Sequence, residues 1–310
     1  MTTLLLSHPT CHRHEMPGSP ETPSRLDAIE QALRSSQFSA LKREDCPNAA
    51  SEQIARAHTQ AYVEAIQKHT PDSGDFWITG DTSLCPHSYD AAQKAAGGAV
   101  RAVDAIMARE VKNAFCAIRP PGHHAEKQRA MGFCLFNNAA IAAHHARDAH
   151  GLERVAVIDF DVHHGNGTQD IFWEEPDFFY GSTHQMPLYP GTGAVNETGA
   201  ENNIVNTPLN EGADGDKMRE AYNDRLFPAL FDFSPDLILI SAGFDAHIDD
   251  PLAGLRFSTD DFRWLTQKLA EFADNHCEGR VVSLLEGGYD LTALGDSVAA
   301  HIEVLLDAGL

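Results

Sequence analysis

The stretch Val155-Ala-Val-Ile-Asp159-Phe-Asp161-Val-His163-His164-Gly-Asn166-Gly-Thr168 decides the reading of this chain. Val155 to Ile158 is a short apolar run of β-branched and small residues, the pattern of a buried parallel strand. Side chains at i, i+2 and i+4 of an extended chain share one face. Asp159, Asp161 and His163 are therefore expected to leave the strand end together. Carboxylate oxygen and imidazole nitrogen are ordinary ligands of zinc and similar divalent ions. The glycines that follow allow a sharp turn away. A simpler reading, aspartates binding loop amides beside a surface histidine, would account for this segment alone.

Working outward, further strands are expected at Leu4–Ser7, Ala114–Ile118, Val155–Phe160, Phe178–Ser182, Leu237–Ser241 and Val281–Leu285. Helical patterning lies between them at Ser88–Ala108, Asn138–His150, Asp216–Phe231 and Thr259–Asn275. The alternation predicts an α/β fold, a single domain over residues 1–310 with a mostly parallel central sheet and helices on both faces. Four polar clusters each follow an expected strand: Arg119-Pro-Pro-Gly-His123-His124, Asp159 to His163, Ser241-Ala-Gly-Phe-Asp245, and Glu286-Gly-Gly-Tyr289. Ligands of open α/β sheets bind beyond the carboxyl ends of the strands. The four clusters are thus expected to meet in one cleft.

Composition narrows the function. Lys and Arg total 23 against 45 Asp and Glu, a formal net charge of −22. That balance argues against direct nucleic-acid binding, which relies on basic patches, and favours cationic partners such as lysine-rich peptides or polyamines. Acidity also serves plain solubility. No apolar run approaches the ~20 residues that span a bilayer, and Met1 to His8 lacks the basic segment of a signal peptide. A cytoplasmic protein without a membrane partner is expected. The six cysteines show no Cys-x-x-Cys pair, so free buried thiols are expected rather than a zinc knuckle or disulfide framework.

Each cluster brings its own chemistry. Asp245 is the natural third ligand beside Asp161 and His163, and three protein ligands leave a coordination position open, as in catalytic zinc sites. His123 and His124 can exchange protons near neutral pH if a partner orients each ring. Asp159 is placed to orient the first and Asn166, more weakly, the second. Tyr289, on a glycine turn, can donate to a developing oxyanion. The run Asp245-Ala-His247-Ile-Asp249 imitates a binuclear manganese ureohydrolase motif, but the partner motif does not complete that ligand set. His247 and Asp249 are therefore expected to be rim or structural residues.

With these residues in hand, the chain resembles the histone deacetylase and acetylpolyamine amidohydrolase family, closest to its class II members. The matching segments are Arg119 to Ala125, Gly132-Phe-Cys-Leu-Phe-Asn-Asn138, Asp159 to Gln169, Pro190-Gly-Thr-Gly193, Ser241 to Asp245 and Leu285-Glu-Gly-Gly-Tyr289, in the family's order. The resemblance implies an arginase-like α/β fold and zinc-dependent hydrolysis of an N-acetyl amide. It puts Asp161, His163 and Asp245 on the metal, His123 and His124 in proton transfer, and Tyr289 on the oxyanion. It further implies that Phe133 and Tyr189 flank a narrow acyl tunnel, with the Gly132 carbonyl near the scissile amide. A structural potassium ion is implied near Ser182 and the backbone of Asp159 to His163.

Departures shape the expected specificity. Asn166 stands where class I members carry Asp, leaving the division of labour between the histidines open. Tyr189 occupies a tunnel position more often held by Phe. Leu252 occupies the gatekeeper position where a polyamine-selective member has Glu, and no long insertion lies between about Thr70 and Ser88. The expected function is removal of acetyl or a similar small acyl group from an amine, foremost the ε-amine of acyl-lysine in proteins or peptides. An acetylpolyamine deacetylase is the alternative, and a manganese ureohydrolase or a non-catalytic acyl-lysine reader stands behind it. Ligand type alone does not choose among zinc, iron(II) and cobalt, and a homo-oligomer is compatible with the sequence.

Overall fold

A computed structural model describes residues 2–309. Among the described residues there are ten strands: β1 Thr3–Ser7, β2 Lys42–Asp45, β3 Phe76–Trp77, β4 Ser83–Leu84, β5 Asn113–Cys116, β6 Val155–Asp159, β7 Phe178–Gln185, β8 Ile204–Leu209, β9 Leu237–Ala242 and β10 Val281–Leu285. Eight of them form one sheet in the order β2-β1-β5-β10-β9-β6-β7-β8, and β3 and β4 make a separate short hairpin. Every neighbouring pair in the large sheet is parallel. The expected α/β architecture is therefore present, with a fully parallel sheet.

Alternation along each strand divides the apolar residues between two cores. Leu4, Leu6, Val155, Val157, Leu237 and Leu239 face the layer built by helices Gln60–His69, Ser88–Met107 and Asn138–His150. Leu5, Ala156, Ile158, Ile238 and Ile240 face helices Ser24–Ala32, Thr259–His276 and Leu291–Gly309. Burial on both faces explains why the central strands read as continuous apolar runs. Alanine, with the highest helix propensity, dominates the buried face of Ser88–Met107 and lets that helix lie close to the sheet. Asn137 caps Asn138–His150 by accepting from the Ala140 N–H at 2.9 Å.

The expected helix at Asp216–Phe231 is broken into three parts. Gly215–Ala221 is α-helical, Tyr222–Leu226 widens into a π turn, and Phe227–Phe233 resumes the helix. Pro228 has no N–H for the carbonyl four residues earlier, so the register shifts just before it. All six cysteines are buried and free. Among the described residues, no helix is long and apolar enough to cross a membrane.

Candidate functional site

The four strands that carry the polar clusters are the four at the centre of the sheet, β5-β10-β9-β6. Their registers align: Cys116 lies opposite Leu284, Leu284 opposite Ser241, and Ser241 opposite Asp159. From this single row the chain leaves in four loops, so residues distant in sequence start from one level. The expected common cleft follows from that alignment.

Asp161, His163 and Asp245 converge, with one potential ligand atom from each lying within 4.8 Å of the others. His163 Nδ1 is 3.1 Å from Asp161 Oδ1 and 3.2 Å from Asp245 Oδ2. Backbone amides fix both carboxylates: the Gly287 N–H donates to Asp161 Oδ2 and the Val162 N–H to Asp245 Oδ1, each at 2.8 Å. Gly287 is required by this packing, because a Cβ there would lie 2.0 Å from Asp245 Oδ2 and 2.6 Å from Asp161 Oδ2. Apart from that contact with His163, Asp245 Oδ2 is buried and accepts no hydrogen bond. Burial and the neighbouring Asp161 carboxylate push the Asp245 pKa up. Against its own burial, His123 and His163 hold Asp161 below the usual carboxylate range. Two buried carboxylates with oxygens within 4.8 Å of each other, one of them without a hydrogen bond, are a costly arrangement without a cation. The donor set of two oxygens and one imidazole nitrogen fits a divalent ion.

The histidine pair lies beside this triad, its rings 4.0 Å apart between centroids. His123 Nδ1–H donates to Asp159 Oδ2 at 3.0 Å, and Tyr180 Oη–H donates to the same oxygen at 3.0 Å. Burial opposes charge on His123, yet Asp161 and Asp159 hold its pKa well above the ordinary value. His124 Nδ1 is 2.8 Å from Asn166 Oδ1, while Asn166 Nδ2 donates to Glu126 Oε1 at 2.8 Å. Because a carboxylate can only accept, this fixes the Asn166 amide and makes His124 Nδ1 the protonated nitrogen. Burial, then the neighbouring His123 and His163, drive the His124 pKa well below the ordinary value.

A cavity of about 270 Å³ opens above the triad, lined by His123, His124, Gly132, Phe133, His163, Leu188, Tyr189, Leu252, Gly287 and Tyr289, with Asp81 and Pro121. The expected tunnel residues Gly132, Phe133, Tyr189 and Leu252 are all in its wall. Phe133 is held at φ 67°, a strained conformation for a residue with a Cβ. The Phe133 N–H donates to Thr82 Oγ1 at 3.0 Å, which ties this wall to the hairpin turn. The Phe133 ring meets Tyr289 edge-on at 6.2 Å, and Tyr189 meets His124 edge-on at 5.2 Å. Ser182 lies opposite Asp159 on β7, its Oγ 2.9 Å from His184 Nδ1.

Several supporting residues escaped sequence reading. Glu286 accepts the N–H groups of Gly122 (2.7 Å) and His123 (3.1 Å), clamping the histidine turn to the end of β10. Arg25, fully buried, donates to Gly288 O at 2.7 Å, to Glu286 O, and to Glu21 Oε1 at 3.0 Å. Its guanidinium lies 5.1 Å from the Tyr289 ring centroid. Arg119 grips the same Glu21 through both carboxylate oxygens. Against its burial, Arg119 and Arg25 hold Glu21 at about 2. The Tyr289 N–H donates to Asp250 Oδ2 at 2.8 Å. Only a contact across more than 200 positions joins Arg25 to the Tyr289 loop, and no local pattern announces it.

Two other clusters stand apart. His247 accepts the Asp249 N–H at 3.2 Å and lies outside the Asp161, His163, Asp245 cluster. Asp104 Oδ1 lies 2.7 Å from both His145 Nε2 and His150 Nε2. Arg56 Nη1 sits 2.6 Å from His145 Nδ1, and an arginine can only donate. His145 Nε2 therefore carries a proton towards Asp104, and this cluster is closed by hydrogen bonds.

Comparison with known proteins agrees with the geometry. The sequence profile described as Histone deacetylase domain matches residues 19–305. Histone deacetylase 10, chloroplastic, from Oryza sativa subsp. japonica is 41% identical over 94% of this chain and 71% of its own length. A histone deacetylase-like amidohydrolase from Pseudomonas aeruginosa is 40% identical over 87% of this chain and 72% of its own. The crystal structure of the HDA15 HD domain superposes with a TM-score of 0.93 at 35% identity, covering 99% of this chain and 88% of that one. With its parallel sheet, its clustered strand-end residues and these matches along nearly its whole length, the chain belongs to the histone deacetylase family of deacetylases and amidohydrolases.

Proposed function

We propose that this protein is a zinc-dependent deacetylase acting on acyl-lysine in proteins or peptides. One observation carries the reading: the Asp161, His163, Asp245 triad, with its orphaned carboxylate oxygen, lies beneath a cavity whose walls hold His123, His124 and Tyr289. A zinc ion, or iron(II) or cobalt in its place, would be held by that triad and would supply Lewis-acid polarisation of the carbonyl and acidification of a water. His124, protonated at Nδ1 by its bond to Asn166, offers the Nε2 lone pair as general base towards the attacking water. His123, backed by the Asp159 carboxylate, is suited to stay cationic and to support departure of the amine. Tyr289 donates its phenol to the developing oxyanion. Ser182, with the backbone of Asp159 to His163, would hold a structural potassium ion.

Phe133, Leu188, Tyr189 and Leu252 give the cavity an apolar wall suited to the lysine methylenes, with Gly132 packed against the His124 ring. Asp81, partly buried in the same wall, favours a second reading in which a small cationic amine such as an acetylpolyamine is the substrate. The purified protein should release acetate from an acetyl-lysine peptide with a higher kcat/KM than from N-acetylputrescine, and a chelator should abolish both reactions. A higher kcat/KM on the polyamine would install the second reading. No metal-dependent acetate release from either would overturn both.

A further inference from the structure

We propose that Glu197 is a positioning residue of the tunnel, whose carboxylate holds the segment bearing Tyr189 in place before substrate arrives. The inference rests on the reading above in taking the cavity as an acyl-chain tunnel. Residues 186–203, between β7 and β8, contain no helix or strand. A connection of that length without its own secondary structure is unusual in a compact domain and generally serves a function. Here it supplies Leu188 and Tyr189 to the tunnel wall. Tyr189 is 39% exposed and edge-on to His124, so packing on one side and a side-chain hydrogen bond to Asp81 are its own restraints, and the backbone that carries it needs a further one.

The segment is held just beyond Tyr189, by Glu197. The Gly193 N–H donates to Glu197 Oε2 at 3.0 Å and the Ala194 N–H to Oε1 at 3.1 Å. Gln169 Nε2, on the helix that follows His163, donates to Oε2 at 2.6 Å. Three donors thus converge on one acceptor-only group, and its charge sets the sense of the bonds beyond it. With its nitrogen committed to Glu197, Gln169 presents Oε1 to His164 Nε2 at 3.1 Å and to Asn206 Nδ2 at 2.7 Å. His164 therefore carries its proton on Nε2, and Nδ1 accepts from Thr192 Oγ1–H at 2.8 Å. The Gly193 carbonyl accepts from His184 Nε2 at 3.0 Å. Gly193, at φ +91°, fits only without a side chain, since a Cβ would lie 2.4 Å from His184 Nε2. A chain of oriented hydrogen bonds therefore runs from His164, beside the candidate ligand His163, to the backbone of Gly193 and Ala194 just beyond the wall residue Tyr189, and Glu197 joins its two ends.

The test uses the metal-loaded protein and two hydroxamates: acetohydroxamate, which reaches only the metal, and a long alkyl hydroxamate that also fills the tunnel. Glu197→Ala should weaken the long compound roughly tenfold, because an ordered wall must now be ordered on binding, and leave acetohydroxamate within about twofold. KM for an acetyl-lysine peptide should rise in parallel while kcat stays within about twofold. Glu197→Gln should resemble the alanine variant, because its amide nitrogen must face one of the three donors, and it provides the same readout should the alanine variant fail to fold. Equal losses for both hydroxamates, or no loss for either, would overturn the inference. Failure of the native protein to bind either compound would instead overturn the metal-dependent reading on which the inference rests.

Discussion

Replacing Arg25 by Met keeps an unbranched side chain of similar bulk and removes every donor, so the outcome reports hydrogen bonding rather than a cavity. Arg25 donates to the carbonyls of Gly288 and Glu286 in a fully buried setting, and both carbonyls would be orphaned. A buried unsatisfied group costs about 1–3 kcal/mol, so the pair accounts for about 2–6 kcal/mol. Loss of the guanidinium over the Tyr289 ring adds about 0.5–2 kcal/mol. Glu21 is not stranded, because Arg119 still holds both of its oxygens. Loop relaxation recovers part of the loss, and a net destabilisation of about 3–5 kcal/mol is expected, a large share of the roughly 5–15 kcal/mol typical of a folded protein. Urea unfolding followed by tryptophan fluorescence measures it. The loosened 286–289 loop should also lower kcat by about tenfold or more through misplacement of Tyr289. Arg25→Lys, with one donor group that cannot span both carbonyls, should fall between the two. A destabilisation below about 1 kcal/mol with unchanged kcat would refute the assignment of Arg25 as the tether of the Tyr289 loop.

Tyr289→Phe should leave the unfolding midpoint and metal content unchanged, since the backbone N–H makes the loop contact to Asp250, and should lower kcat about 10²–10³-fold; full turnover would assign the oxyanion to another donor. Acid stability should depend on His301, which burial holds at about 3 and which lies between Thr266 Oγ1 and Ser283 Oγ. Below about pH 6.5 the unfolded chain binds a proton at this position that the folded chain refuses until about pH 3, so stability falls as pH falls through that window. Each pH unit should cost the native protein about 1.4 kcal/mol more than His301→Gln, and parallel urea titrations of the two between pH 6 and 4 would dismiss this if their slopes agree.

The central strands were legible because burial on both faces makes them continuous apolar runs, as in Val155-Ala-Val-Ile158 and Leu237-Ile-Leu-Ile240. The edges were not. β2 is Lys-Arg-Glu-Asp and β8 contains Pro208, a residue tolerated where one side of a strand has no partner. The four polar clusters could be expected to meet because each follows a central strand, and one aligned row of strand ends brings their loops together. The supporting residues Glu21, Arg25 and Glu286 act through contacts between distant segments. Their identities as charged residues would ordinarily place them on the surface, and only the folded chain shows which buried partners they meet.

Metal stoichiometry, read by elemental analysis after the apo-protein is exposed to zinc and dialysed, addresses the central claim directly. The account predicts one tightly held ion per chain in the native protein, and none in Asp245→Asn, which keeps the fold but removes the charge of the orphaned carboxylate. A native protein that retains no divalent ion, or an Asp245→Asn variant that retains it as tightly, would contradict the account.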